Sequence, residues 1–322
     1  MKKSSKIVLA TITVLVVLVG MVSSYFYSQL NKVKKAEIPK TNSELNISDN
    51  AAKQDDEIIN ISFFGVDRRH KDEASRSDAL MILTLDKKHK KVKISSVMRD
   101  SYVNVNGYGM TKITHAYAYG GPTLAIKTLN KNFDLNIKDY VTVDFFGLEK
   151  IIDSVGGVDI NVTPEELKYI NGYIEETSKL ESAPIPTVNH TGVQKLNGRQ
   201  AVAYTRIRYT AGGDFERTQR QRTLLVAVLN KIKEKGPTNV ANVALQLLPY
   251  TETSMSNTEI LKSLTSISTL DIKNIDQQRF PLDGYCYGKM IGGVWYLVFD
   301  LDATKNQMHK YMFEDIKPND AK

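Results

Sequence analysis

Apolar and polar residues alternate from about residue 57 in a way that predicts short strands. Ile59, Ile61 and Phe63 are separated by polar residues, which is the two-residue period of a half-buried strand. Two further segments, 79–85 and 91–100, have the composition of buried strands. The folded domain is therefore predicted to begin near residue 57.

Helical and strand-like patterns then alternate along the chain. Residues 120–133, with Pro122 in the first turn, indicate a helix, and 146–157 indicate a second. Strands are predicted at 139–145 and 157–162, and this alternation indicates an α/β fold.

Two later segments complete the pattern. Residues 163–195 contain three prolines and are interpreted as an irregular excursion. A helix is then predicted from about Asp214 to Lys235, where Gly-Pro ends it. Its apolar positions Leu224 and Val228 are expected to face the core.

The amino-terminal segment has the properties of a membrane anchor. Residues 7–27 carry no charge, and as a helix they would span about 32 Å, against about 30 Å for a bilayer core. A cleaved signal peptide is the alternative, but its apolar core is shorter. We expect a cytoplasmic tail at 1–6, a span at 7–27, a flexible polar stalk at 28–56 and an exported domain at 57–322.

The charge distribution argues against a nucleic-acid partner. The chain has a net charge of +7, of which +5 lies in residues 1–54, so the domain itself is nearly neutral. Cys286 is the single cysteine, which excludes an intrachain disulfide and fits a bacterial surface.

Arginine is concentrated in two windows, whereas lysine is spread along the chain. Of 11 arginines, ten fall in the two windows. The first window holds Arg68, Arg69, Arg76 and Arg99, and the second holds Arg199, Arg206, Arg208, Arg217, Arg220 and Arg222. The planar guanidinium group binds phosphate through paired hydrogen bonds, so we expect the windows to form one anion site. Two sets of structural ion pairs are the alternative.

Acidic residues accompany these arginines at predicted strand ends. Asp67 and Arg99 follow strands, and Asp78 just precedes one. Ligands of open α/β sheets gather at such ends. Arginines with two or three aspartates suit a pyrophosphate bound with Mg²⁺, which takes one or two carboxylates and phosphate oxygens.

Other chemistries lack their sequence signatures. The chain contains no GxxxxGK[ST] phosphate loop, no GxGxxG and no GxSxG motif. The five histidines are scattered without metal-ligand spacing.

Eight motifs in order resemble the LytR–CpsA–Psr family from about residue 57 to the carboxyl terminus. They are FFGVDRR, SRSDALMILTL, ISSVMRDSYV, KITHAYAYGG, YVTVDFFGLEKIIDSVGGVDI, LNGRQAVAYTRIR, GGDFERTQRQR and YLVFDLDATKNQMH. Met98 stands where the family often has proline, a change that leaves Arg99 in place.

The resemblance implies a specific activity. Family members are thought to transfer a teichoic acid or capsular polysaccharide from undecaprenyl pyrophosphate to a peptidoglycan sugar hydroxyl, forming a phosphodiester. It also implies a central mixed sheet flanked by helices, a hydrophobic tunnel for the polyprenyl chain, and a single-pass protein whose domain faces outward, on a Gram-positive cell.

The resemblance also assigns residues. Asp67 and Asp78 match the aspartates associated with Mg²⁺ (or Mn²⁺), and Asp67, Arg99 and Arg208 are the expected catalytic residues. The expected pyrophosphate ligands are Arg68, Arg76, Arg99, Lys112, Arg206, Arg208, Arg217, Arg220 and Gln221. Whether Asp67 is a base or only a metal ligand stays open.

Two other functions remain possible from the sequence. A pyrophosphatase acting on the same carrier would use the same residues, with water as nucleophile. A non-enzymatic envelope regulator or lipid-phosphate-binding protein is the second alternative. No helix-turn-helix signature supports a DNA-binding regulator.

Overall fold

The computed structural model describes residues 28, 30–67, 76–234, 236, 243 and 246–318. The predicted span at 7–27 and the candidate ligand Arg68 lie outside these ranges. Within them, no helix is long and apolar enough to cross a membrane.

Seven of the described strands form a mixed central sheet. The strands are β1 (Lys34–Lys35), β2 (Ile58–Val66), β3 (Ser77–Asp86), β4 (Lys91–Val97), β7 (Asp139–Asp144), β10 (Glu252–Thr253) and β11 (Asp271–Phe280). Their order across the sheet is β1, β10, β7, β2, β3, β4, β11. Strand β2 runs parallel to β7 and antiparallel to β3, and β4 runs parallel to β11. The predicted α/β fold with a mixed sheet is confirmed.

The remaining described strands form antiparallel pairs beside this sheet. They are β5 (Tyr102–Val105) with β6 (Gly109–Lys112), β8 (Val158–Val162) with β9 (Gly192–Leu196), and β12 (Cys286–Ile291) with β13 (Val294–Phe299).

Helices cover both faces of the sheet. They are α1 (Thr114–Phe133), α2 (Phe145–Ser154), α3 (Pro164–Glu181), α4 (Gly198–Arg206), α5 (Gly213–Glu234), α6 (Asn257–Thr269) and α7 (Leu301–Phe313). Phe64 and Ile82 pack with α1 and α7 on one face, whereas Val143 packs with α2, α4 and α5 on the other. The alternation of side chains along each strand produces these two cores.

The predicted excursion at 163–195 is largely helical, so that prediction is wrong. Helix α3 occupies Pro164–Glu181, and its start is stabilised by reciprocal hydrogen bonds between Thr163 and Glu166. Pro164 fits the first turn, where no amide donor is needed.

The first long helix also differs from its prediction, because it begins at Thr114 rather than at residue 120. Its backbone is kinked at Gly120 and Gly121, where Gly121 has a φ of 61°. Glycine adopts this conformation without a Cβ clash, so helical residues continue on both sides of the kink.

The expected flexible stalk is packed against the domain from residue 30 onward. Leu45 and Ala51 have no exposed surface, and Leu30 is 2% exposed. Strand β1 pairs with β10 and joins this segment to the sheet edge. A few apolar side chains of this polar segment pack in the core. Residues 30–56 are therefore part of the folded domain and do not form a separate flexible stalk.

We expect Leu45→Ala to lower the free energy of unfolding of a 28–322 fragment by about 2–5 kcal/mol, as for a buried leucine elsewhere. Lys53→Ala, at an exposed position of the same segment, is the control and should change it by less than about 0.5 kcal/mol. Urea unfolding measures both. Equal, small effects would show that the segment is not part of the core.

Candidate active site

One edge of the central sheet gathers the charged residues. Asp67 directly follows β2, Asp78 lies at the start of the antiparallel β3, and Arg99 lies two residues beyond β4. The Arg99 Nη1 atom lies 2.5 Å from Asp78 Oδ1, and Arg208 Nη2 lies 3.3 Å from Asp78 Oδ2. The predicted convergence of the two arginine windows is therefore confirmed.

Arg217 adds a third guanidinium group from α5. It is 2% exposed, and its Nη2 atom lies 2.9 Å from Asp214 Oδ1 and 3.5 Å from the Asp78 carbonyl oxygen. Burial lowers the pKa of Arg217 to about 10, against the opposing effect of Asp214, so the group stays protonated at neutral pH.

Asp78 is ionised because the arginines outweigh its burial. Burial by itself would raise the pKa of this carboxyl group, but Arg217, Arg99 and Arg208 together hold it below its ordinary value. Since the pKa of Asp78 is lower in the folded state, the ionised carboxylate stabilises the fold above a pH of about 4. This contribution is lost at lower pH, as the carboxylate becomes protonated.

A cavity of about 500 Å³ extends from this charged cluster between the sheet and helices α2 and α5. Its walls are apolar and include Phe63, Met81, Leu83, Val141, Val143, Leu148, Ile151, Leu224, Leu225, Val228, Leu229, Ile232, Leu247 and Leu248. Its polar end is lined by Asp67, Asp78, Arg206, Arg208, Tyr209, Arg217 and Gln221. The site therefore combines an apolar chamber with a charged head.

Arg206 is held at the polar end by α2 and α3. Its Nη1 atom donates to Thr177 Oγ1 at 2.8 Å, and Nη2 lies 3.0 Å from Glu176 Oε1. The guanidinium carbon lies 5.1 Å from the ring centroid of Phe145 and 5.5 Å from that of Tyr173. Aromatic stacking and hydrogen bonds thus fix its position.

Two small residues give the head of the cavity its width. A Cβ atom at Gly65 would lie 2.9 Å from the Cβ of Ala79 on the adjacent strand, and both residues line the cavity. Any larger residue at position 65 would have to displace β3.

Two other predicted ligands, Lys112 and Arg76, do not line the cavity. Lys112 pairs with Asp100, with 2.7 Å between Nζ and Oδ1. Arg76 is exposed and acts electrostatically on His115, whose pKa is lowered mainly by burial and then by Arg76 and Lys112.

Arg220 belongs to a structural network and not to the cavity, which corrects its predicted role. Its Nε atom lies 2.7 Å from Glu166 Oε1, and Nη1 donates to the Ile207 carbonyl oxygen at 3.0 Å. On α5, Arg220 lies only about 60° from Arg217 but about 100° from Gln221, and its guanidinium group turns toward Glu166 on α3. Arg199 likewise pairs with Glu149.

Sequence reasoning missed Tyr173, Glu176 and Thr177 because they lie on α3, in the segment interpreted as irregular. The Thr-Pro-Glu-Glu sequence at 163–166 is a capping signal that indicates this helix. The predicted strand at 139–145 ends with Phe145, whereas this residue begins α2 and stacks on Arg206.

Several buried polar atoms of the ion-pair cluster around Asp78 have unused hydrogen-bonding capacity. Among the described residues, Arg99 Nε, Arg217 Nε and Asp214 Oδ2 are buried without a hydrogen-bond partner. Unused guanidinium donors are suited to oxygens of an anionic ligand, and Arg217 is the one of these residues that lines the cavity.

The carboxylates at the head fit a divalent cation only in combination with a ligand. No group of three potential protein ligands occurs among the described residues, but Asp67 and Asp78 both line the polar end. Mg²⁺ commonly uses one or two carboxylates and completes its shell with phosphate oxygens and water. This donor set therefore fits a cation that arrives with a phosphate-containing substrate.

Comparison with known proteins identifies the family. The LytR_cpsA_psr family model matches residues 20–312. The chain belongs to the LytR–CpsA–Psr family. It is 30% identical over 307 residues to the polyisoprenyl-teichoic acid–peptidoglycan teichoic acid transferase TagU of Bacillus cereus, covering 94% of this chain and 93% of TagU. It is 31% identical over 241 residues to TagT of Bacillus subtilis, named as the same kind of transferase, covering 72% of this chain and 71% of TagT.

Solved structures of this family share the fold. TagT with bound octaprenyl pyrophosphate lipid matches with a TM-score of 0.63 and 25% identity, covering 86% of this chain and 99% of that one. TagT bound to LIIa-WTA matches with a TM-score of 0.62 and 27% identity, covering 80% of this chain and 91% of that one. A LytR–CpsA–Psr protein of this fold thus binds a polyprenyl pyrophosphate.

We expect Arg220→Ala and Arg208→Ala to affect different properties. Arg220→Ala leaves the buried Glu166 without its cation and should lower the free energy of unfolding by about 3–5 kcal/mol. Arg208, whose side chain is 46% exposed, should contribute less than about 1 kcal/mol. Chemical denaturation distinguishes them, and similar losses in both variants would contradict the structural role assigned to Arg220.

Proposed function

We propose that the protein transfers an anionic glycopolymer of the teichoic acid or capsular polysaccharide type from a polyprenyl-pyrophosphate carrier to a sugar hydroxyl of peptidoglycan. The observation that carries this proposal is the apolar cavity whose head is lined by Arg206, Arg208 and Arg217. The transferase relatives TagU and TagT support it through their names and their similarity over most of the chain.

The cavity suits the lipid part of such a carrier. Its walls come from strands β2, β3 and β7 and from helices α2 and α5, and they present aliphatic and aromatic side chains. A polyprenyl chain is a flexible hydrocarbon, so transfer from water into this chamber is favourable in proportion to the apolar area removed from solvent. We infer undecaprenyl as the chain, as the family resemblance implies.

The charged head suits the pyrophosphate. Arg208 and Arg217 present guanidinium groups beside Asp78, and Arg99 approaches from the end of β4. Positive groups held in place by folded structure stabilise the extra negative charge of a phosphoryl-transfer transition state without reorganising. Arg99 and Arg208 are therefore the catalytic cations in this proposal.

A divalent cation would complete the head. Asp67 and Asp78 would hold Mg²⁺ or Mn²⁺ together with the pyrophosphate oxygens. The ion would neutralise phosphate charge. The Asp78 carboxylate already pairs with Arg99 and Arg208, so in this proposal it would contact both the arginines and the cation.

The reaction is a substitution at the phosphorus that carries the glycopolymer. The oxygen of the acceptor hydroxyl forms a bond to this phosphorus, and the bond from phosphorus to the bridging pyrophosphate oxygen breaks. The polyprenyl phosphate leaves with that oxygen, and the hydroxyl proton passes to a carboxylate. Asp67 lines the head and is the candidate base, and a metal-ligand role for Asp67 is the alternative.

The location follows from the same chemistry. Lipid-linked glycopolymers and peptidoglycan meet at the outer face of the cell membrane. We propose that residues 7–27 anchor the protein there as a single span, with the domain outside the cell.

A transfer assay with fragment 28–322 tests the proposal. The fragment, a lipid-linked glycopolymer donor, Mg²⁺ and soluble peptidoglycan strands should yield polymer linked to peptidoglycan, and Arg206→Ala/Arg208→Ala should abolish it. Mass spectrometry of organic extracts should find polyprenyl phosphate or pyrophosphate in the wild type. Acceptor-independent release of glycopolymer phosphate would instead indicate a pyrophosphatase, and bound lipid without turnover would indicate a binding protein.

We expect Asp78→Asn to bind metal-free inorganic pyrophosphate more tightly than the wild type, by about 5-fold, which is an interaction of about 1 kcal/mol. The substitution removes the carboxylate that neutralises Arg99 and Arg208. The enhancement of binding by Mg²⁺ should shrink at the same time. Isothermal titration calorimetry measures both, with Asp302→Asn at a 91% exposed side chain as the control. Weaker metal-free binding in Asp78→Asn would contradict this charge assignment.

A further inference from the structure

An exposed aromatic surface lies beside the active site on the β12–β13 hairpin. Trp295, the only tryptophan of the chain, is 41% exposed, and Met290, its cross-strand partner, is 60% exposed. Lys112 Nζ lies 6.0 Å from the centroid of the indole ring. We call these three residues the Trp295 platform. The transferase chemistry above does not use this surface.

The indole ring is held in place by close packing. A Cβ atom at Gly288 would lie 2.8 Å from Trp295 Nε1 and 3.0 Å from Cε2, so the ring rests directly against a glycine backbone. A ring fixed in this way presents its exposed face to a ligand with little loss of side-chain entropy on binding.

The hairpin is joined to the segment that carries Arg99. The Leu297 amide donates to the Asp100 carbonyl oxygen at 2.9 Å, and Leu297 forms a bridge with Ser101. Leu297 is 1% exposed, so it anchors the hairpin in the protein. The Trp295 platform therefore has a defined position relative to the catalytic arginine.

A charged pair lies at the edge of this surface. Lys112 Nζ is 2.7 Å from Asp100 Oδ1, and Asp100 Oδ2 lies 3.6 Å from Arg99 Nε. Lys112 also lies 5.9 Å from the ring centroid of Tyr296, whose ring packs 4.7 Å from that of Tyr102. An aromatic face beside hydrogen-bonding charges is the combination that recognises a sugar ring. The ring's C–H groups stack on the indole, and its hydroxyl or carboxylate substituents bond to the ion pair.

The position of the platform indicates that it binds the acceptor substrate and not the donor. None of its three residues lines the cavity, and contacts lead from the cavity head through Asp78, Arg99 and Asp100 to Lys112. In phosphoryl transfer the attacking and leaving oxygens lie roughly in line. The leaving polyprenyl phosphate belongs to the cavity, so the nucleophile comes from the side away from it.

We propose that the Trp295 platform is the acceptor subsite. It stacks an amino-sugar ring of the acceptor strand and places its hydroxyl toward Arg99. The inference rests on the proposed function and deepens it by assigning the second substrate to a surface.

Because Trp295 is the only tryptophan, its emission reports directly on this surface. Titration of the wild-type fragment with a soluble oligosaccharide of β-1,4-linked N-acetylated amino sugars bearing lactyl carboxylates should give a saturable change in tryptophan fluorescence. Inorganic pyrophosphate, bound at the cavity head, should change it much less. A response to a donor glycolipid but not to the oligosaccharide would assign the platform to donor sugars and overturn the proposal.

Kinetics give the second readout. Trp295→Ala should raise the KM for the acceptor about tenfold or more while donor binding in calorimetry is unchanged, and Trp295→Phe should recover part of the loss. Tyr287→Ala is the matched control, because Tyr287 is 59% exposed on the opposite face of the same hairpin and should leave the acceptor KM unchanged. Circular dichroism verifies that each variant is folded.

The two proposals fail separately. An unchanged acceptor KM in folded Trp295→Ala, with wild-type transfer intact, overturns the acceptor subsite and leaves the proposed function standing. Saturable fluorescence without any transfer supports glycan binding at the platform and overturns the transferase.

Discussion

The organisation of the site depends on the ion pairs that the Asp78 carboxylate forms with arginines. The carboxylate pairs with Arg99 and Arg208, and the carbonyl oxygen of the same residue accepts from Arg217. These cations come from the end of β4, from the segment before α5 and from α5 itself. Without an acid between them, three guanidinium groups would repel one another across the edge of the sheet. Asp78 thus keeps the three guanidinium groups close together while neutralising only part of their positive charge. The remaining charge suits an anionic ligand.

Four arginines of the second window form two pairs that differ in what their side chains face. Arg199 and Arg220 have acidic partners in the protein interior, Glu149 and Glu166, and hold helices together. Arg208 and Arg217 face the cavity, where Arg217 keeps an unused Nε donor. A buried cation paired with an acid away from the cavity stabilises structure, whereas one that keeps an unused donor beside the cavity is available to a ligand. The same residue type therefore serves both purposes within a few turns of chain.

The cavity and the charged head depend on each other. Apolar walls surround Asp78 and Arg217 with groups of low polarity, and a less polar environment strengthens the electrostatic interactions at the head. The head in turn sets the position of any lipid bound through its pyrophosphate. Gly65 and Ala79 keep this junction open, because their neighbouring positions on β2 and β3 have room for little more than backbone.

The sequence by itself determined the α/β class and the convergence of Asp67, Asp78 and Arg99 with arginines of the second window. Strand periodicity places residues at strand ends, and strand ends meet at one sheet edge, so these outcomes depend on local pattern. Only the tertiary structure decided that Arg220 faces Glu166, that Leu45 belongs to the core, and that helix α3 supplies partners to Arg206. Each of these depends on which distant segment packs against a side chain, and a local pattern of polar and apolar residues carries no information about that neighbour.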